Sequence, residues 1–421
     1  MEKSNIIDIN KSHTSKVKIF YKTDLNKSVI IENYNERNWI QTEDEDNWNV
    51  YWANVNVVRN MFNGKSMIKL QDNQIVNHYP TWFELCRKDN LAKNIKKYKK
   101  QLIKEGKNPD ILDFLPQTYI LPSDMSVFME EFKRNPTFLW ILKPSNRSQG
   151  SGVVLVNKIN KIKNLKFESK TITNEYNQQV QINQTYVISK YLDNPLLISG
   201  KKFDIRMYVL VTSFHPLKVW MFKFGFCRFC NEKYTVDINE IDNIYIHLTN
   251  VAIQKKYCKY NNYHGGKWPL KNLKTWIEML YGYDKMHQMM TDIKNVFINS
   301  LKAVQHSMCS DKHCYELYGY DVLLDANLKP WLIEVNASPS LSTTTIKDKI
   351  LKKKLISDVI EVVMTEKWVE EKGKCGVNSN KKIYEGDFEV IYDESIGKEK
   401  KNKINTYKDN YFHISSKKKD F

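Results

Sequence analysis

The sequence predicts a mixed α/β fold (α+β in its layout) built from several packed units. Three observations carry this: short strand-like runs alternate with helical ones, no repeat of fixed period recurs, and 42% of the 421 residues are hydrophobic with 12% aromatic. Such a chain can build a sizeable core and is too apolar to stay disordered. Its length suggests roughly two to four packed units. The lack of a repeat argues against solenoids and propellers.

Residues before about Lys16 are polar and without period, and read as a tail. Val17-Lys18-Ile19-Phe20-Tyr21 and Trp39-Ile40-Gln41 then read as strands flanking a helix. Trp82 to Leu102 reads as a helix carrying Lys93, Lys96, Lys97, Lys99, Lys100 and Lys104, either a solvated face or a contact surface for an acidic partner. Ser123 is placed to cap a helix in which Phe128 and Phe132 recur at i, i+4; Pro136 ends it, and Phe138-Leu139-Trp140-Ile141-Leu142 begins a buried strand. Ile293, Val296, Phe297, Ser300, Leu301 and Val304 form one core-facing stripe of a long helix. From Lys398 to Phe421 the chain is again Lys-rich and weakly patterned, and reads as mobile.

Lys+Arg 65 against Asp+Glu 48 gives a net charge of +17, a field that attracts nucleic acid, an anionic membrane face or an acidic protein. No run approaches the ~20 apolar residues of a bilayer span, and Met1-Glu2-Lys3-Ser4-Asn5 does not begin a secretory signal, so a soluble intracellular protein is expected. Cys 7, an odd number, reads as reduced thiols. Cys227-Arg228-Phe229-Cys230 has zinc-knuckle spacing but no second pair, which favours packing over a metal. His313-Cys314 reads equally well as packing.

Neither a P-loop nor a Rossmann turn is present among the 14 glycines. What appears instead is Trp140-Ile141-Leu142-Lys143-Pro144, a loop from Ser145 to Gly152, and Val153-Val154-Leu155-Val156: strand, Gly/Ser loop, strand. Lys143, leaving a strand beside bare backbone N–H groups, can hold phosphate oxygens; an ordinary hairpin is the plain alternative. Further on, Leu317 to Leu324 and Trp331 to Asn336 flank a turn-rich connector, Asp325 to Pro330. In a hairpin, Asp321 and Glu334 would lie near opposite positions, with Asn336 on the face of Glu334. Three hard oxygen donors on apolar strands suit Mg²⁺ shared with phosphates, against the alternative of a solvated hairpin face. Between these segments Lys202, Asp204 and Arg206 alternate with Phe203, Ile205 and Met207, one face charged and one core. Arg206 suits bidentate contact with an anion, although on an edge strand in water the pattern would mean nothing.

Together these segments resemble the tubulin tyrosine ligase-like family, ATP-grasp enzymes that join an amino acid to a carboxylate of tubulin. The matching residues are Lys143-Pro144 with Gln149-Gly150-x-Gly152, Lys202-Phe203-Asp204-Ile205-Arg206, His247-Leu248-Thr249-Asn250, Asp321, and Glu334-Val335-Asn336-Ala337-Ser338-Pro339-Ser340-Leu341. The likeness runs from about Lys16 to Trp368. Within the family the chain is most similar to short glutamylases of cilia and basal bodies, through Trp48-Asn49-Val50-Tyr51-Trp52, Asp72 to His78, Gly225 to Cys230 and His264-Gly265-Gly266-Lys267-Trp268.

The resemblance implies an ATP-grasp fold with a tail over 1–15, an N-terminal domain over 16–80, a central domain over 81–190, a C-terminal domain with the Mg²⁺ site over 191–372 and a mostly flexible basic tail over 373–421. ATP would lie between the central and C-terminal domains. Lys143, Gln149 and Gly150 match holders of its phosphates, and Ser189-Lys190-Tyr191-Leu192 matches the hinge against adenine. Lys202 and Asp204 match nucleotide contacts, and Thr249 and Asn250 match residues beside the ribose and phosphates. Asp321, Glu334 and Asn336 match the ligands of two Mg²⁺ ions. The acceptor carboxylate would take the γ-phosphoryl group and the incoming amine would displace phosphate, with Arg206 stabilising the acyl phosphate. Free glutamate brings a second carboxylate, and Arg228, Lys267 and Lys352 match its contacts; a solvated cation is the alternative for each, most of all for Lys352 beside Lys353 and Lys354. Lys352 is placed on a helix whose Ile350, Leu351, Leu355, Ile356 and Val359 pack inward.

The implied activity is glutamate addition to the γ-carboxyl of glutamates in acidic tubulin tails, partners favoured over nucleic acid or a membrane, in the cytoskeleton of a cilium, axoneme or basal body. The short stretch after the catalytic segment points to helper subunits. A glycine or tyrosine ligase of the same family and a non-catalytic basic microtubule-binding scaffold are the competing readings.

Overall fold

The computed structural model describes residues 18–63, 69–147, 149–163, 169–173, 179–258, 266–343, 345–368 and 386–396. The expected tail over 1–15 and the segment after Lys398 lie outside these residues, as do Ser148, His264 and Gly265 of the motifs.

The first layer is a parallel sheet of β1 (Phe20–Thr23), β2 (Ile40–Gln41), β3 (Val50–Trp52) and β4 (Ile75–Val76), ordered β2-β1-β3-β4, with α1 (Ser28–Glu36) and α2 (Val55–Met61) as crossovers. The strand–helix–strand reading of this region holds. After α3 (Phe83–Cys86), the basic helix α4 (Lys88–Lys104) buries Leu91, Ala92, Ile95 and Leu102 and exposes Lys93, Lys97, Lys100 and Lys104.

An antiparallel sheet of order β5-β10-β6-β7 follows, from β5 (Thr118–Leu121), β6 (Trp140–Pro144), β7 (Val154–Val156) and, after α6 (Asn160–Lys163), β8 (Ser169–Thr173) and β9 (Gln179–Asn183), from β10 (Tyr186–Lys190). Its helix α5 (Met125–Arg134) presents Phe128 to Trp140, ring centroids 5.1 Å apart, both fully buried. Ser123 does not cap α5: its hydroxyl donates to the Ile120 carbonyl, and Asp124 occupies the N-cap position. Phe128→Ala is expected to cost about 3–5 kcal/mol through lost burial and an unfilled cavity, read as a lower urea midpoint; a loss below about 1 kcal/mol would refute this packing account.

The largest sheet is built on β12 (Lys201–Phe214). It pairs with β11 (Leu197–Ile198), β13 (Leu217–Phe222), β14 (Phe226–Phe229) and β16 (Glu316–Leu324), and β16 pairs with β17 (Pro330–Asn336). Strand β12 is therefore central, and both its faces are buried, the charged one included. Between β14 and β16 run α7 (Ile244–His247), α8 (Val251–Gln254), β15 (Lys267–Pro269), α9 (Leu270–Tyr281) and α10 (Tyr283–Gln305). In α10 the predicted stripe of Ile293, Val296, Phe297, Ser300, Leu301 and Val304 is wholly buried.

Helix α11 (Ile346–Trp368) packs Leu355, Ile356 and Val359 inward as expected, but Ile350 is 65% exposed because it lies off that face. Part of the stretch expected as a flexible basic tail is folded: β18 (Phe388–Asp393) pairs antiparallel with β13, burying Phe388 against Phe222. Alternating apolar residues let it add to an open sheet edge, a pattern that the surrounding lysines obscure. Among the described residues no three His, Cys, Asp or Glu side chains gather as for a metal; Cys227, Cys230 and Cys314 are buried. No helix among them is long and apolar enough to cross a membrane.

Candidate active site

Two adjoining cavities lie where the antiparallel sheet faces the large sheet, and every site residue named from the sequence lines one or both. The first holds Lys143 and Gly150 of the β6–β7 hairpin, Ser189, Lys190, Tyr191 and Leu192 at the end of β10, Lys202 and Asp204 of β12, Thr249 and Asp321. The second, about 440 Å³, holds Gln149, Arg206, Lys267, Asn336 and Lys352. Arg228, Asn250 and Glu334 belong to both walls. Gln149, grouped with the phosphate holders by resemblance, thus faces the second cavity.

Asp321 and Glu334, expected near opposite positions, are paired directly because the register shifts between Asp321 and Val322, and Asn336 is opposite Gly319. Gly319 is required by close approach, since a Cβ there would meet the Pro339 Cβ at 2.8 Å. Gly150, at φ +76°, would drive a Cβ to 2.5 Å from Ile253 Cδ1 and 2.9 Å from Asn250 Oδ1. Its bare backbone lets the loop settle against the segment after Thr249.

Burial of the charged face of β12 is compensated by alternation of charge across strands. Arg206 donates from Nε to Asp321 Oδ1 at 2.5 Å and from Nη2 to Oδ2 at 3.0 Å. Arg228 donates to both oxygens of Asp204, the Nε–Oδ1 bond being 2.7 Å, and reaches Asp321 Oδ2 at 2.8 Å. Thr249 Oγ1 completes Asp204 at 2.7 Å. Burial pushes the Asp321 carboxyl up, but the two guanidiniums outweigh it and hold the carboxyl well below the usual range.

Lys143 and Lys202 are different. Burial, helped for Lys143 by nearby Lys88, pulls both ammoniums down to about 8. Lys202 Nζ donates to Tyr191 Oη at 2.9 Å, and Tyr191 Oη lies 2.9 Å from His247 Nδ1. Burial and Lys202 lower His247 to about 4, so its ring is neutral at pH 7; with Nε2 directed at the Glu240 carbonyl, Nδ1 is left to accept from Tyr191. For Lys143 no hydrogen bond or salt bridge forms within the described residues. A buried cation so placed is suited to an anion.

In the second cavity Lys267 Nζ stands 3.0 Å and Lys352 Nζ 3.2 Å from one oxygen of Asp348. Lys352 is only 3% exposed, so it is no solvated neighbour of Lys353 and Lys354: it lies on the inward face of α11 with Leu355 and Ile356. Lys255 adds an exposed ammonium on the rim.

Sequence reasoning missed Lys88, Lys255 and Asp348. Lys88 Nζ lies 3.4 Å from Glu334 Oε2 and donates to the Arg147 carbonyl at 3.1 Å, tying the first turn of α4 to the hairpin and the β6–β7 loop. Nothing local in the sequence marks it. Asp348 could have been found by its i, i+4 spacing from Lys352.

The residues fit a magnesium nucleotide. Glu334 and Asn336, side chains 3.4 Å apart, and Asp321 supply oxygen donors at the junction of the cavities, beside buried lysines and a glycine loop. Leu323, Leu332 and Ile333 give the first cavity an apolar wall suited to a base.

An enclosure with buried lysines and a glycine loop on one side and a group of cations on the other is suited to a ligase. The chain belongs to the tubulin-tyrosine ligase family, which matches residues 66–371. It is 50% identical over 389 residues to the probable alpha-tubulin polyglutamylase Ttll1 of Tetrahymena thermophila, covering 90% of this chain and 94% of that one. It is 36% identical over 381 residues to the probable tubulin polyglutamylase TTLL9 of Rattus norvegicus, covering 85% and 82%, and 38% identical over 367 residues to the probable tubulin polyglutamylase ttll-9 of Caenorhabditis elegans, covering 86% and 84%.

Proposed function

We propose that this chain is an ATP-dependent tubulin polyglutamylase of ATP-grasp type, adding glutamate to the γ-carboxyl of glutamates in the acidic tubulin tail. The observation that carries the choice of amino acid is the charge of the second cavity. Arg206 and Arg228 are balanced by Asp321 and Asp204, and Glu334 by Lys88. Among the described residues, Lys267 and Lys352 then share the carboxylate of Asp348 while Lys255 lines the same cavity, three positive charges against one negative. Free glutamate presents two carboxylates and needs its amine neutral to react. Glycine and tyrosine have one.

In this reading Lys143, Lys202 and the backbone at Gly150 hold the triphosphate, the segment Ser189 to Leu192 holds the base, and Thr249 and Asn250 lie beside ribose and phosphates. Asp321, Glu334 and Asn336 would hold Mg²⁺, which when bound would supply positive charge beside the phosphates. The acceptor carboxylate attacks that group, ADP departs, and an acyl phosphate remains. The neutral amine of glutamate, set in the second cavity, attacks the acyl carbon and phosphate leaves, with Arg206 beside the developing charge. The similarity to a named alpha-tubulin enzyme directs the proposal to the α-tubulin tail, with the cilium or basal body and helper subunits as the implied setting. The +17 net charge fits capture of an acidic tail and makes it salt-sensitive.

Mass spectrometry of tubulin tails after incubation with the chain, ATP, Mg²⁺ and labelled glutamate, glycine or tyrosine tests the proposal. Glutamate alone should appear; incorporation of only glycine or tyrosine would reject it, and microtubule binding with no ATP use even alongside partner subunits would favour a scaffold. Lys267→Ala should raise the glutamate KM roughly tenfold or more with little change in the ATP KM, in line with loss of a charge-assisted bond. An unchanged glutamate KM would remove Lys267 from the pocket's function.

A further inference from the structure

Behind two lysines that line the second cavity, Lys267 and Lys352, stands a buried carboxylate that the proposed roles of nucleotide and metal do not explain. Asp348 lies in the first turn of α11, its backbone N–H held by Thr345 Oγ1 at 3.1 Å, and its carboxylate is 2% exposed. One oxygen, Oδ2, receives Lys267 from β15 at 3.0 Å and Lys352 from one turn along α11 at 3.2 Å. Lys352 also donates to the Ser342 carbonyl at 2.5 Å, which anchors it to the loop that follows β17. Two lysines from different elements therefore converge because one buried carboxylate stands between them.

We infer that Asp348 is a positioning residue of the amino-acid pocket, gathering Lys267 and Lys352 at one point of the wall and so setting both where an incoming carboxylate is held and the pH range over which it is held. This rests on the glutamate reading above.

Two like charges brought to one buried point repel, and burial disfavours each. The other charged or titratable groups facing them are Arg206 and Tyr208 on β12, Arg228 on β14, Lys255 beyond α8 and Glu334 on β17. Most are cationic, so Asp348 is the near anion that keeps both ammoniums charged. Burial brings Lys352 down to about 8 and lowers Lys267 as well, while Asp348 opposes both shifts. The sign follows. Glutamate affinity is fullest while both lysines are protonated and falls as pH rises through about 8. Removing the Asp348 charge moves that fall to lower pH, but where both lysines remain protonated it leaves the cavity more positive.

The test is calorimetric titration of L-glutamate into the full chain with Mg²⁺ and a non-hydrolysable ATP analogue, for wild type and Asp348→Asn, from about pH 6.5 to about pH 9. Wild-type affinity should fall through about pH 8. The variant should bind within about threefold of wild type at the acid end and more than about tenfold weaker near pH 8.5, a split that a merely structural defect would not produce. Equal weakening at every pH, or no change at any, would overturn the inference while leaving the glutamate reading intact. If Asp348→Asn does not fold, the wild-type profile decides: a fall supports the inference and a flat profile overturns it. Absence of glutamate binding by the wild type at every pH would instead refute the proposed function, and this inference with it.

Discussion

Glu334→Gln should reduce ligation by at least on the order of a thousandfold, to below detection, while leaving the fold intact. Glu334 is the one acidic residue common to both cavity walls, and its side chain is 17% exposed, opposite Asp321. Glutamine keeps its volume and removes its charge, so in the proposed mechanism the cation that the hairpin would hold loses one of two carboxylates where phosphate must leave. The fold loses only the contact with Lys88, partly open to solvent at 3.4 Å and worth on the order of 1 kcal/mol or less. Single-turnover ligation and ADP release, measured beside the melting temperature, separate the two effects. Wild-type-like ligation by this variant would take the hairpin out of the mechanism; joint loss of activity and folding would make Glu334 structural.

Lys143→Met should lower kcat/KM for ATP roughly 100-fold or more and leave thermal stability unchanged or raised. Burial holds Lys143 near 8 against an ordinary 10.5, with Lys88 and Lys202 adding repulsion, and within the described residues it makes no salt bridge. Its charge is thus a cost to the fold, present in full below about pH 8 and relieved as pH rises from there towards 10.5, where the unfolded chain binds more protons than the native one. Methionine removes that cost along with the phosphate contact. The melting temperature of the variant should climb less steeply with pH above about 8 than that of the wild type. A destabilised variant with unchanged ATP dependence would assign Lys143 to packing.

Both predictions concern residues found from local pattern. The turn-rich connector from Asp325 to Pro330 marks a hairpin that brings Asp321 near Glu334, but regular alternation from that turn would set Asp321 opposite Ile333, and a bulge between Asp321 and Val322 is what sets it opposite Glu334. Lys143 was marked by its place between a buried strand and a glycine loop. Patterns of this kind failed where packing from elsewhere decided the outcome: Ser123 bonded backward instead of capping α5, Ile350 stayed largely exposed, and Phe388–Asp393 found a sheet edge.

Sequence alone therefore determined the mixed α/β character, the strand–loop–strand and hairpin segments, and the kinds of side chain that line the two cavities, all properties of short stretches with their own period. Only the tertiary structure decided that β12 is central and buried on both faces, that Arg206 and Arg228 interleave with Asp321 and Asp204, and that Lys88 pairs with Glu334 and Asp348 with Lys267. The physical reason is that a charge acquires its partners and its loss of solvent from whatever packs over it, and those elements lie far away along the chain.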